Sequence, residues 1–185
     1  HVQSYYNQNE KEKTCIYTDN IIYSPNVVVF RSDQLSGEFL EEPYVCSIIT
    51  APAVNYTHAI KRVNDASRVK QAFYNRADKV LAIAYRNNVE VLVLGAWGCG
   101  VFGCSIHDTA QMFRHFLIND NAKYKNVFKK VIFAIYGEQT YEEFKESLST
   151  HSTTESSTLS IIDQQIKPIR NSSGGKKRRD AGWKK

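Results

Sequence analysis

Four glycines fall within nine positions, at Gly95, Gly98, Gly100 and Gly103, and the segments on either side of them have different patterns. Before them, Val91-Leu92-Val93-Leu94 is apolar at every position, as in a strand buried on both faces of a parallel sheet. After them, Ser105 and Asp108 have capping-box spacing, and Ile106, Ala110, Phe113 and Leu117 form the apolar stripe of a helix. Glycine loses more freedom on ordering than any other residue, so this density implies backbone that takes positive φ or lies directly against a ligand. A strand, a glycine loop and a helix N-terminus in that order expose successive N–H groups that can surround a phosphate or diphosphate. A tight strand-to-helix turn with no ligand is the plainer alternative. Either way, the segment restricts the chain to an α/β architecture with its loop at the carboxyl end of a parallel strand.

The remaining patterns agree with that class. Residues 1–14 are polar and Lys/Glu-rich and read as a flexible N-terminal segment, a loop or a frayed end. Val27-Val28-Val29-Phe30 and the stretch from Tyr44 to Thr50 read as strands, the first preceded by a Ser24-Pro25-Asn26 turn and the second closed by Ala51-Pro52. Between them Ser36-Gly37-Glu38 makes a turn. Ala66, Val69, Phe73, Ala77, Val80 and Ala84 recur at helical spacing, with Lys, Arg and Asp assigned to the opposite face. Val131 to Tyr136 reads as a further buried strand, and Thr140 with Glu143 as the cap of a last helix ending near Leu148. Strands and helices in alternation predict a mostly parallel sheet covered by helices.

Charge divides the chain. Residues 1–150 hold 16 Lys+Arg against 16 Asp+Glu, whereas residues 151–185 hold 8 against 3, so the tail carries the whole net charge of +5. A neutral folded part argues against direct nucleic-acid binding by the domain, and no apolar run approaches the ~18 residues of a membrane span. The tail from Ser149 is Ser/Thr-rich and is expected to be a disordered basic extension. Its Lys176-Lys177-Arg178-Arg179 cluster reads either as a nuclear-import signal or as a solubilising feature. Cys15, Cys46, Cys99 and Cys104 are too scattered for a disulfide framework and read as reduced thiols of an intracellular protein, cytoplasmic or nuclear. Cys99 and Cys104 are separated by four residues, with no His pair at zinc-like spacing, so no metal or other cofactor is expected. The chain begins at His1 and its single methionine is Met112, which reads as an N-terminally truncated protein.

Gly98-x-Gly100-x-x-Gly103 also fits a nicotinamide-dinucleotide fingerprint, which wants an acidic residue about 20 positions on, at the end of the next strand. The first acid after that strand is Glu138, 35 residues beyond Gly103, so a conventional dehydrogenase is disfavoured. Trp97 can either stack on a base or ribose or plug the core beneath the loop. Phe102, between glycine-permitted bends, is the better candidate for a ligand-facing ring. Replacing Gly100 by a bulky β-branched residue is expected to abolish binding.

Gly95-Ala96-Trp97-Gly98-Cys99-Gly100-Val101-Phe102 resembles the signature of the microbial-type poly(ADP-ribose) glycohydrolase (PARG) family, a branch of the macrodomains. Three further stretches match it in order: Tyr17-Thr18-Asp19 with Ile22-Tyr23-Ser24-Pro25, then Val29-Phe30-Arg31, then Ile48-Ile49-Thr50-Ala51-Pro52-Ala53 with Asn55. The resemblance covers about residues 15–148, which are read as one domain. It implies a three-layer α/β/α macrodomain that binds ADP-ribose or poly(ADP-ribose) on modified proteins, as a monomer. The implied ligand-binding residues are Thr50, Ala51 and Pro52 at the strand end and Gly95, Ala96, Trp97, Gly98, Cys99, Gly100, Val101, Phe102 and Gly103 on the loop. By the same resemblance the loop wraps the diphosphate and Phe102 packs on the distal ribose.

The family's catalytic motif is a glycine triplet followed by Gln-Glu-Glu, and it precedes the matched stretches. This chain contains neither, so no catalytic residue is assigned in it, and Glu41-Glu42 does not inherit the role because it lacks the glycines and precedes Pro43. In the resembled mechanism a glutamic acid protonates the leaving ribose oxygen, an oxocarbenium-like state forms, and water completes hydrolysis. The chain is therefore expected to carry the positioning half of a glycosidase, with no glycohydrolase activity alone. Two alternatives stay open: a non-catalytic ADP-ribose reader, or another nucleotide-binding α/β domain.

Overall fold

The computed structural model describes residues 2–33 and 36–149, so the Lys176–Arg179 cluster and the rest of the basic tail lie outside the described residues. Nine elements follow one another: α1 (Val2–Lys11), β1 (Ile22–Arg31), β2 (Phe39–Thr50), α2 (Tyr56–Val63), α3 (Ala66–Arg86), β3 (Val91–Leu94), α4 (Ile106–Leu117), β4 (Lys130–Phe133) and α5 (Glu138–Ser149). The predicted strands and long helices are all present, although several boundaries move. The segment read as a loop at the N-terminus is helical. Its sequence has no apolar periodicity because its anchors are one tyrosine and one amide: Tyr5 and Asn9 are buried one turn apart. The Asn9 Oδ1 accepts from the Thr18 N–H at 2.9 Å and from the Thr18 hydroxyl at 3.0 Å.

β1 and β2 form an antiparallel hairpin. Ser24-Pro25-Asn26, read as a turn, instead lies within β1 as a bulge: the register shifts between Ser24 and Val27, and Asn26 takes φ +55°. Proline donates no N–H to the ladder, and a bulge on an edge strand is where a sheet tolerates that. Beyond the hairpin tip, Arg31 donates to the Gly37 carbonyl at 2.7 Å and lies 4.0 Å over the Phe39 ring.

β3 and β4 pair in parallel, from Val91 opposite Lys130 to Leu94 opposite Phe133. The expectation of a single, mostly parallel sheet is not met among the described residues: β1-β2 and β3-β4 are two separate two-stranded sheets. Nor is β3 buried on both faces. Leu92 is buried, but Val91 is 51% and Val93 is 61% exposed, because no described element covers that side.

The core is built on α3 and α4. Val69, Phe73, Ala77, Leu81 and Ala84 line the inner side of α3, and Thr109, Ala110, Met112, Phe113, Phe116 and Leu117 that of α4; Leu92, Phe133, Phe144 and Leu148 complete it. Ser105 caps α4 as expected, its hydroxyl accepting from the Asp108 N–H at 3.2 Å. α5 starts at Glu138, two residues before Thr140; Gly137 at φ +87° makes the sharp entry, and its carbonyl accepts from the Tyr141 N–H at 2.9 Å.

All four cysteines are free. Burial pushes the Cys104 thiol up to about 11, and the neighbouring Cys99 adds to the effect. Because the folded-state value lies above that of an unfolded thiol, Cys104 favours the folded state below pH ~8.5 and loses that contribution as pH rises through about 11. At pH 8 we expect Cys104 to resist iodoacetamide in the native protein and to react at the normal rate in urea; mass spectrometry of labelled peptides checks this.

Candidate functional site

The loop from Gly95 to Cys104 is held by its own backbone. The Trp97 N–H donates to the Gly95 carbonyl at 2.8 Å, Cys99 to Ala96 at 3.1 Å, Gly103 to Gly100 at 3.0 Å and Cys104 to Gly98 at 3.0 Å. These bonds leave the N–H groups of Gly100, Val101 and Phe102 without partners among the described residues. Three consecutive N–H groups without such partners thus lie at the tip of a loop that leads into a capped helix N-terminus. Val101, 96% exposed, marks the tip.

Two glycines are required by geometry. Gly98 takes φ +80°, and a β-carbon there would stand 2.7 Å from the Cys104 sulfur and 3.1 Å from the Ala53 β-carbon. Gly103 takes φ +69°, and a β-carbon there would stand 2.2 Å from the Thr57 hydroxyl oxygen. Gly100 is different: nothing lies within 4 Å of a β-carbon built on it, and its φ is not positive. Packing and backbone strain therefore account for two glycines of the motif and leave Gly100 facing open space.

Helix α2 clamps the loop from the side. The Thr57 N–H donates to the Phe102 carbonyl at 3.1 Å, and the Thr57 hydroxyl lies 3.4 Å from the same oxygen. The Phe102 ring meets Tyr17, with centroids 5.8 Å apart. Tyr17 itself takes φ +65° and Cys15 φ +64°, an uncommon backbone for such residues. What holds that segment is Arg76. Its guanidinium is fully buried and donates to the carbonyls of Ile16 at 2.8 Å, Pro52 at 3.0 Å and Tyr17 at 3.1 Å, and to the Asp19 carboxylate at 3.2 Å. Burial pulls the guanidinium's pKa down and Asp19 opposes that, so the group stays charged.

The sequence reading placed Arg76 on the polar face of its helix and gave Tyr17 and Thr57 no role in the site. A signal for Arg76 existed: it lies three residues after Phe73 and seven after Val69, which puts it on the buried stripe. Trp97 takes the core-plugging alternative, its ring 5.1 Å from that of Phe73. Of the other candidate residues, Ala51 comes together with Gly95, Ala96, Trp97 and Gly98 along one cavity of about 430 Å³, while Pro52 turns its carbonyl to Arg76. Thr50, Cys99, Gly100, Val101, Phe102 and Gly103 are not in that lining. The Cys99 thiol instead bonds the Thr109 hydroxyl at 3.3 Å, on the helix side of the loop. Among the described residues no three His, Cys, Asp or Glu side chains are grouped to hold a metal.

The fold that carries this loop is similar to that of known structures. Residues 1–32 match the family model of the microbial-type PARG catalytic domain. The chain is related to the microbial-type poly(ADP-ribose) glycohydrolases. Poly(ADP-ribose) glycohydrolase from Thermomonospora curvata is 35% identical, with a TM-score of 0.70 over 80% of this chain and 53% of that one. The same protein bound to the inhibitor ADP-HPD gives 35% and 0.70 over 80% and 54%. The enzyme from Deinococcus radiodurans in complex with ADP-ribose is 34% identical, with a TM-score of 0.68 over 79% and 57%. The chain thus spans little more than half the length of these glycohydrolases. No curated protein matches. The family match begins at the start of the chain, so it includes the N-terminal helix that the sequence reading set apart from the domain.

Proposed function

We propose that this chain binds ADP-ribose through the glycine loop and provides the ligand-positioning part of a poly(ADP-ribose) glycohydrolase. The observation that carries the reading is the run of unpartnered N–H groups at Gly100, Val101 and Phe102, beside a glycine whose β-position is open. The loop takes one diphosphate into a backbone nest, which suits a neutral folded part with no need of a basic patch. Tyr17 and Phe102 form an aromatic wall that a ribose or adenine can pack on, and Arg76 holds that wall in place.

Cleavage of the ribose–ribose bond needs a carboxylic acid at the distal ribose, and the chain carries neither the glycine triplet nor the Gln-Glu-Glu that supplies it in the family. The chain by itself is therefore a binder, and hydrolysis belongs to the protein in which the family's catalytic motif is also present. Its substrates are ADP-ribose polymers or ADP-ribose on modified proteins, met inside the cell.

Calorimetry with ADP-ribose and with the oxidised nicotinamide cofactor tests this. Preference for ADP-ribose supports the reading; equal or inverted preference removes it. Gly100→Val sharpens the test, because the position is open in the chain. We expect unfolding to be unchanged and ADP-ribose affinity to fall roughly a hundredfold, from loss of one or two charge-assisted N–H bonds of about 1.5–3 kcal/mol each. Retained affinity in Gly100→Val would place the ligand elsewhere.

A further inference from the structure

We propose that a second cavity, between the N-terminal halves of α3 and α4, binds a small zwitterion with an apolar body, an aromatic α-amino acid being the simplest. The cavity measures about 410 Å³, a size common for small-molecule sites. Its floor is apolar: Val54, Val69, Phe73 and Cys104 line it, and all are buried. Tyr56 of α2 and Tyr74 of α3 add two aromatic rings to the lining. The cavity is separate from the open N–H groups of the glycine loop, since Gly100, Val101 and Phe102 are not in its lining.

Two opposite charges share the rim. Lys70 and Asp108 both line the cavity and both are exposed. Among the described residues neither is ion-paired, to the other or to a third group. The Lys70 ammonium stands 5.8 Å from the centroid of the Tyr74 ring. Burial raises the Tyr74 hydroxyl and the Cys104 thiol above their ordinary ranges, and the Asp108 charge adds to both effects, so the field of this carboxylate reaches an aromatic side of the cavity and its floor.

These charges select the ligand. A simple anion is drawn to Lys70 and repelled by Asp108, and a simple cation meets the reverse. An uncharged apolar molecule covers the floor but desolvates both rim charges without serving either. A zwitterion serves both: its carboxylate accepts from the Lys70 ammonium, and its own ammonium donates to the Asp108 carboxylate, each in a charge-assisted hydrogen bond. Its apolar body then covers Val69, Phe73 and Cys104, and an aromatic body also packs beside Tyr56 and Tyr74. The ligand is a free amino acid and not a residue within a peptide, because amide bonds remove both charges. The inference does not rest on ADP-ribose binding, and its test contains no nucleotide.

Calorimetry of the full chain with L-phenylalanine as the probe tests this. The expected result is one saturable site with a Kd below about 1 mM. N-acetyl-L-phenylalanine and phenylethylamine each lack one of the two charges and should bind at least about tenfold more weakly. Lys70→Gln and Asp108→Asn should each weaken L-phenylalanine by about the same factor. Both side chains are exposed, so both variants should melt within about 2 °C of the parent. Ala66→Trp, which brings a large ring into the lining from an exposed position, should abolish binding, whereas Gly100→Val, outside the lining, should leave it unchanged. No saturable binding overturns the proposal. So does equal binding of the singly charged analogues, binding indifferent to Lys70→Gln and Asp108→Asn, or binding that is lost in Gly100→Val.

Discussion

Arg76→Met is expected to lower stability by about 3–5 kcal/mol, which for a chain of this size moves the melting temperature by on the order of 10 °C. The side chain is fully buried and answers three carbonyl groups, those of Ile16, Tyr17 and Pro52, that have been taken out of water. Methionine fills much of the volume but donates nothing, and each buried carbonyl left unpaired costs about 1–3 kcal/mol. Arg76→Lys should recover only part of the loss, because one ammonium cannot spread its donors over the positions that the planar guanidinium reaches. Asp19→Asn should cost under about 1 kcal/mol, since its carboxylate is 46% exposed and also faces Lys79. Urea midpoints of the three variants measure the order. A midpoint for Arg76→Met within about 1 kcal/mol of the parent would mean that the guanidinium does not hold the strained Cys15–Tyr17 segment.

Gly103→Ala comes second, at about 2–3 kcal/mol, from two separable sources. A β-carbon at φ +69° strains the backbone by about 1–2 kcal/mol, and it would also stand 2.2 Å from the Thr57 hydroxyl oxygen. Thr57→Ala removes that oxygen, leaving the Thr57 β-carbon at an ordinary 3.6 Å. The double variant should therefore be more stable than the two single losses predict, and the strain should remain. Additive losses would show that the Thr57 hydroxyl does not meet a β-carbon at position 103. ADP-ribose affinity should fall with Gly103→Ala as well, because the Gly103 N–H closes the turn that carries the Val101 and Phe102 donors. Gly100→Val separates the effects by losing the ligand and keeping the stability.

These contrasts show what was legible in the sequence. The glycine loop, the strand before it and the Ser105 cap depend on local chemistry, and each lies where its pattern predicts. The reason for each glycine was not legible, since Gly98 and Gly103 are fixed by Cys104, Ala53 and Thr57, and Thr57 is far from the loop along the chain. Arg76 was misplaced because a charged residue next to an apolar stripe reads as polar until the carbonyls it serves, about 60 and 24 residues away, are brought to it. Helix α1 was missed because burial of Tyr5 and Asn9 leaves no apolar period.

Sequence by itself determined the α/β alternation, the glycine loop between strand and helix, and the resemblance to the glycohydrolases, because these depend on residue types at short spacings. Tertiary structure alone decided that Tyr17 faces Phe102, that Arg76 holds it there, and that β2 and β3 stand apart with open edges. Strand pairing and buried hydrogen bonds join residues distant in the chain, and an all-apolar run such as Val91–Leu94 states only that both faces are to be covered. That Leu92 is covered while Val91 and Val93 are not is a property of the assembled fold.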